Sequence, residues 1–307
     1  MDVFSKEART YLMGLAIIGV VMVHVSTQEV DHPFYKLISL VFSNGHLGVN
    51  VFFLLSAYGL CFSYNRNSLK KFYFNRIVRI WPIFPVALIA RYIVNDIPVQ
   101  DALLRFFSEI SGIFLFQVKR DFFWYMGVLT FLYLLFPILY ELFFKLRKFR
   151  ISIFIVLCIL SQMLLMHDFG HNDIYLHTIT RLPMIYLGFL TYFCVIEKDL
   201  SKLYLTYGFA ALLSLTQVNY MTCLFLPAVM LVISNSKVRP FDKLVSFLGK
   251  HSLEIYLGHT FAVYHILGFP FSYPVNLILF FVTAAIYSYL LYLVQHLFLK
   301  YAINKNA

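Results

Sequence analysis

Apolar stretches long enough, or nearly long enough, to cross a bilayer recur from Tyr11 to Tyr301, and no long polar segment separates them. A helix needs roughly 20 apolar residues to span the hydrocarbon core, and lipid offers no hydrogen-bond partner to a bare backbone amide. A chain built of such stretches is therefore expected to fold as a polytopic bundle of transmembrane helices. Composition points the same way: with 61% hydrophobic and 13% charged residues, there is too little polar side chain to cover a soluble body of 307 residues. The apolar runs place ten helices, at about 11–28, 45–64, 77–94, 122–144, 151–167, 181–196, 203–217, 219–235, 251–268 and 275–299. Residues 102–118 are also apolar, but Arg105 and Glu109 interrupt them, which suits an interfacial or re-entrant segment. A single all-α membrane domain, residues 1–307, accounts for the sequence. Its charged start, Met1 to Arg9, leads into an apolar run without a small-residue cleavage site and reads as a retained first span.

Charge orients the bundle. With the N-terminus in the cytoplasm, 19 of the 25 Lys and Arg residues fall on the inner side, richest in Arg66–Arg79, Lys145–Arg150 and Lys237–Lys250. Lys36, Arg91, Arg105, Lys119, Arg120 and Arg181 remain outside or near the outer ends. That asymmetry favours both termini in the cytoplasm and an even number of spans. The net charge of +10 is spread through short loops and forms no continuous stripe, so nucleic acid is not an expected partner. Cys61, Cys158, Cys194 and Cys223 show no CxxC or Cys/His spacing and read as free, buried thiols. There is no P-loop, no Ser-His-Asp triad, no ligand set for a metal and no visible inverted duplication.

Ionisable groups inside apolar helices are the candidates for chemistry. His24 stands in the first helix, roughly 20 Å from its cytoplasmic end, and is either a helix-packing histidine or a proton acceptor for a hydroxyl. In the second helix His46 marks the outer mouth. Asn50, one turn deeper, approaches the depth of His24 and can orient the imidazole, or simply bond to a neighbouring helix. Gly48, Ser56 and Gly59 read as small residues for close packing. Arg76 and Arg79, three apart before Trp81-Pro82, put two guanidinium groups on one helix face, a fork suited to phosphate, although positive-inside topology alone also places arginines there. Trp124 and Tyr125 read most simply as an aromatic belt at the outer interface. Glu254 and His259 put further ionisable groups on the ninth helix, with His259 roughly 12 Å from the cytoplasmic end and thus nearer to it than His24.

Five segments in order resemble acyltransferase family 3 of integral membrane enzymes. They are Gly14 to His24, Gly48 to Ser56, Arg76-Ile-Val-Arg79-Ile-Trp-Pro82, Trp124-Tyr125 through Pro137, and Leu248 to His259. By that resemblance His24 is the family's essential first-helix histidine and Arg76 with Arg79 its Arg-x-x-Arg motif. Two positions depart from the pattern: the basic residue usual eleven places before the histidine is Met13, with Arg9 one turn earlier, and Asn50 stands where an aspartate is frequent.

The resemblance implies acyl transfer from cytoplasmic acyl-coenzyme A, in the first instance acetyl-coenzyme A, to a hydroxyl of an extracytoplasmic or lipid-linked glycan at a bacterial inner membrane. The donor phosphates would lie near Arg76 and Arg79, with His24 as base and Asn50 beside it; His46, Trp124, Glu254 and His259 are substrate or relay candidates. No bound cofactor and no metal are expected, and a second copy of the chain is a candidate partner besides the bilayer, donor and acceptor. The alternative is an exporter or flippase of a polysaccharide precursor, since intramembrane His and Glu also suit a transport path. Met13 and Asn50 leave room for an inactive scaffold as well.

Overall fold

A computed structural model describes residues 3–26, 33–111, 123–166, 180–215, 223–266 and 275–304, and among them the regular structure is helical, without strands. The α-helices are α1 (Lys6–Ser26), α2 (Pro33–Phe42), α3 (Gly48–Arg66), α4 (Leu69–Ile80), α5 (Phe84–Val94), α6 (Val99–Ser111) and α7 (Trp124–Lys145) in the first half. The second half holds α8 (Arg150–Met166), α9 (Leu182–Ile196), α10 (Leu200–Ser214), α11 (Leu226–Asn235), α12 (Asp242–Lys250), α13 (Ser252–Ile266) and α14 (Val275–Asn304). Five stretches are long and apolar enough to cross a membrane: Lys6–Ser26, Lys36–Arg66, Leu69–Val94, Trp124–Lys145 and Val275–Tyr301. Leu134, Ile138, Leu212 and Ile286 stand exposed on the outside, the surface a lipid solvent calls for.

The central helix is α1, packed by α3, α12 and α13. Between helices already surrounded by hydrocarbon, the hydrophobic effect gives little attraction, so close backbone approach supplies it, and small residues permit that approach. A methyl group added at Gly14 would fall on the carbonyl of Val245, one at Gly249 on the carbonyl of Thr10, and one at Gly48 on the carbonyl of Ala16. On the other side of α3, Gly188 of α9 brings its Cα over the Leu54 carbonyl and Ala57. Gly48 is thus a packing glycine, as expected. Gly59 is not: a methyl there would meet only the Arg9 guanidinium, 4.0 Å away, and both Gly59 and Ser56 line a cavity.

Several boundaries differ from the hydropathy reading, each for a local reason. Residues 69–76, expected as loop, form most of α4, whose Ser68 hydroxyl accepts from the Lys71 amide at the N-cap. Its Lys and Arg hid an amphipathic helix from a hydropathy average. The chain turns through Trp81–Ile83 ahead of Pro85, so the expected helix 77–94 is really the end of α4 followed by α5. Ahead of α13 comes an unexpected short helix, α12, again polar on one face.

The segment from 102 begins at Val99 as α6, and its interrupting Glu109 is buried, paired with Arg91 of α5 at 2.6 Å. Residues 112–118, the helix ends at 27–28, 167 and 267–268, Lys119, Arg120 and the boundary at Gln217–Asn219 lie outside the described residues.

The second crossing is interrupted. After α2 the chain makes one 3-10 turn, Gly45–Leu47, before α3 begins, and Gly45 packs on Gly19 and Val23 of α1. His46 stands in that turn, beside the approach of Gly45 to α1, with its side chain exposed.

Candidate active site

Arg76 and Arg79 project from one face of α4 into a cavity of ≈ 360 Å³, as their spacing requires. Lys6 and Arg9 of α1 and Lys250 of α12 join them, and among the described residues no carboxylate lines the space. Arg76 is partly held already: its Nη2 donates to Ser63 Oγ at 3.0 Å, and its guanidinium lies over Phe72 at 5.5 Å and Tyr133 at 5.7 Å. Arg9 lies over Tyr58 at 5.9 Å. Gln295 of α14 donates to the Val78 carbonyl at 2.9 Å and fixes α4 across the end of the bundle. Five cationic side chains around one void, two of them, Arg9 and Arg76, held over aromatic rings, make a receptor for a polyanion such as a set of phosphates.

Away from the cations the wall becomes apolar and aromatic, with Phe52, Leu55, Tyr125 and Tyr256. Tyr125, at 6% exposure, packs edge-on to Tyr256 with ring centroids 5.2 Å apart. Tyr256 in turn meets the imidazole of His259 at 5.4 Å, and His259 meets His24 at 5.4 Å. The two histidines are thus side by side, where the sequence had placed His259 nearer the cytoplasmic end. The reason is α12: residues up to Lys250 form their own helix alongside the start of α1, so α13 starts deeper in the bundle than a spanning helix would.

His259 is 1% exposed, and its Nδ1 lies 3.2 Å from the Ile255 carbonyl oxygen. A carbonyl only accepts, so this contact is a hydrogen bond when Nδ1 carries the proton, which leaves the Nε2 lone pair available.

Asn50 is placed differently from its expected position beside His24. The approaches of Gly45 to Gly19 and Gly48 to Ala16 put Asn50 about 10 Å nearer the N-terminal end of α1 than His24. Its amide oxygen accepts from Arg181 Nη1 at 2.8 Å, and the same guanidinium lies 5.2 Å over the Trp124 ring. Trp124 packs inward on Phe53 at 6.1 Å, so Trp124 and Tyr125 belong to the bundle interior and do not form a belt at the interface.

Two comparisons with known proteins bear on this arrangement. Residues 10–302 match the family described as Acyltransferase domain. The chain is a member of that family. A protein of Acidianus two-tailed virus named "Putative acetyltransferase ORF330" is 25% identical over 277 residues, covering 81% of this chain and 80% of the relative. No solved structure matches.

In this acyltransferase, then, Arg76 and Arg79 share one cavity and His24 and His259 share another locus, with Tyr256 between them. Trp124 and Asn50 meet through Arg181. Glu254 lines neither the basic cavity nor the Arg181 cluster; it faces an apolar groove together with His259. Arg9, one turn before Met13, lines the basic cavity with Met13 itself, so the displaced cation reaches the same space. Tyr256 and Lys250 were missed as site residues. The signal for Tyr256 was its place three residues before His259 on an apolar helix, and for Lys250 the glycine beside it. Arg181, read as one of six outer charges, is buried at 4% exposure.

Proposed function

We propose that this acyltransferase moves an acyl group, in the first instance acetyl, from cytoplasmic acyl-coenzyme A to a hydroxyl of an extracytoplasmic or lipid-linked glycan. The bundle then has about ten spans with both termini in the cytoplasm of a bacterial inner membrane, the orientation that the 19-to-6 division of Lys and Arg favours. The observation that carries the reading is the basic cavity with Arg76 and Arg79 on its wall and a file of rings, Tyr256 then His259, leading from it to His24.

Donor phosphates lie among Lys6, Arg9, Arg76, Arg79 and Lys250, and the thioester arm extends along Tyr125 and Tyr256. His24 takes the proton from the acceptor hydroxyl as its oxygen attacks the thioester carbonyl carbon. The C–S bond breaks, and the coenzyme A thiolate takes up the proton that His24 has gained. His259 abuts His24 and fixes its ring. An acyl relay through a covalent intermediate would use the same residues in two steps.

Equilibrium binding of coenzyme A to the purified protein tests the donor half. Binding that weakens about tenfold for each of Arg76→Ala and Arg79→Ala is expected, the loss of one charge-assisted contact apiece. Unchanged affinity in both variants would remove the donor assignment.

A further inference from the structure

On the face of α13 opposite Tyr256 runs an apolar groove of ≈ 640 Å³, bounded by α1 and α14. Along α14 it extends from Phe281 to Tyr292, about 16 Å. Ile18, Met22, Ala285 and Tyr289 wall it, and Ala285, Phe281 and Tyr289 stand exposed on the outside of the bundle. An acid and two imidazoles nevertheless line it: His251, in the turn between α12 and α13, and Glu254 and His259 of α13. Groups of this kind rarely face hydrocarbon, because lipid tails give them nothing to bond with. His259 is also the ring in contact with His24, so the groove and the proposed chemistry share a residue.

We infer that this groove holds the acceptor: an amphiphile whose hydrocarbon tail lies against α1 and α14 and whose hydroxylated head meets Glu254 and the histidine pair. The inference rests on the acyl-transfer reading above and narrows its acceptor to a lipid-linked one, reaching His24 sideways from the bilayer. Bulk lipid alone leaves Glu254 and His251 facing hydrocarbon, whereas a saccharide head supplies hydroxyls to both. The tail of a long-chain donor is disfavoured by position, since the basic cavity opens on the other face of α13, with Leu253 and Tyr256 on its wall.

The test uses the full-length protein in phosphatidylethanolamine and phosphatidylglycerol vesicles. One set carries a polyprenyl glucoside with a diazirine in its tail, and another carries diazirine-labelled phosphatidylcholine at the same mole fraction. After illumination, peptides containing Ile18–Met22 and Phe281–Tyr292 are expected to be labelled at least tenfold more by the glucoside probe. Ala285→Trp, which fills the groove from an exposed position, is expected to cut that labelling about tenfold, Ala285→Leu less, and Ile286→Trp, on the same helix but outside the groove, not at all. Equal labelling by the two probes would mean bulk lipid only and overturn the inference. So would labelling displaced by palmitoyl-coenzyme A but not by unlabelled polyprenyl glucoside, or labelling insensitive to Ala285→Trp. Labelling needs no turnover, so a protein that labels as expected yet never binds coenzyme A would sink the acyl-transfer reading and leave the groove an amphiphile site.

Discussion

His24 and His259 form a pair whose members differ in surroundings. His259 is enclosed and has a backbone partner for Nδ1, whereas His24 is half-buried at the end of the ring file. Replacing His259 with Phe keeps a ring against His24 and Tyr256 while removing both nitrogens. If His259 acts by positioning, His259→Phe retains a measurable rate and shifts the pH profile of transfer, whereas His259→Ala loses the rate; identical loss in both would assign it a direct proton role.

A second prediction concerns the end of the bundle. Arg150 donates to both carboxylate oxygens of Glu197, 2.7 Å from Nη1 to Oε2, and this holds the Glu197 carboxyl below its ordinary value of 4.5. A lowered value means the tie is fully present above that ordinary value and is lost as pH falls through the depressed one. Thermal unfolding in detergent is therefore expected to ease on acidification below about pH 4.5, and Glu197→Gln to flatten that acid limb; an unchanged limb would contradict it.

At this scale the sequence was partly legible. Arg76 and Arg79 share a face because spacing along a helix decides it, but the partner of Asn50 is Arg181, 131 positions away, and no local pattern carries that.

Among the elements, tight packing in lipid hangs on a few glycines. Gly14 and Gly249 let α1 and α12 touch backbone to backbone, and this contact brings Lys250 into the basic cavity and sets the depth of α13. Gly14→Leu is expected to destabilise by about 1–3 kcal/mol through overpacking and to weaken coenzyme A binding, since it pushes away the helix bearing Lys250. Gly208, where an added methyl meets nothing within 4 Å, is the matched control: Gly208→Ala is expected to leave both unchanged. Melting curves and binding isotherms of the two variants check this, and equal behaviour would show that the α1–α12 contact does not set the cavity.

Long apolar helices were legible because periodicity and length suffice for them. The amphipathic α4 and α12 were not, because their charged residues lower the hydropathy that marks a span, and yet these two helices carry Arg76, Arg79 and Lys250. Helix α2 was not read at all, because its ten residues are too few to mark a span, and Gly45-His46-Leu47, taken as the start of the second helix, is a separate 3-10 turn that packs on Gly19 and Val23.

Over the whole molecule, cations gather at one end of the bundle and the histidine pair lies farther along α1, with aromatic rings between. On the proposed reading this layout gives donor and acceptor separate routes that meet at His24. The orientation itself is testable with reporters fused at either terminus, both of which are expected to report the cytoplasm; opposite sides would require an odd number of spans. The most direct measurement compares cells carrying the wild-type gene with cells carrying His24→Ala, by mass analysis of their surface and lipid-linked glycans. The expected result is an acyl group present in the first and absent in the second, with equal amounts of folded protein in the membrane. An acylated glycan in the His24→Ala cells would contradict the account.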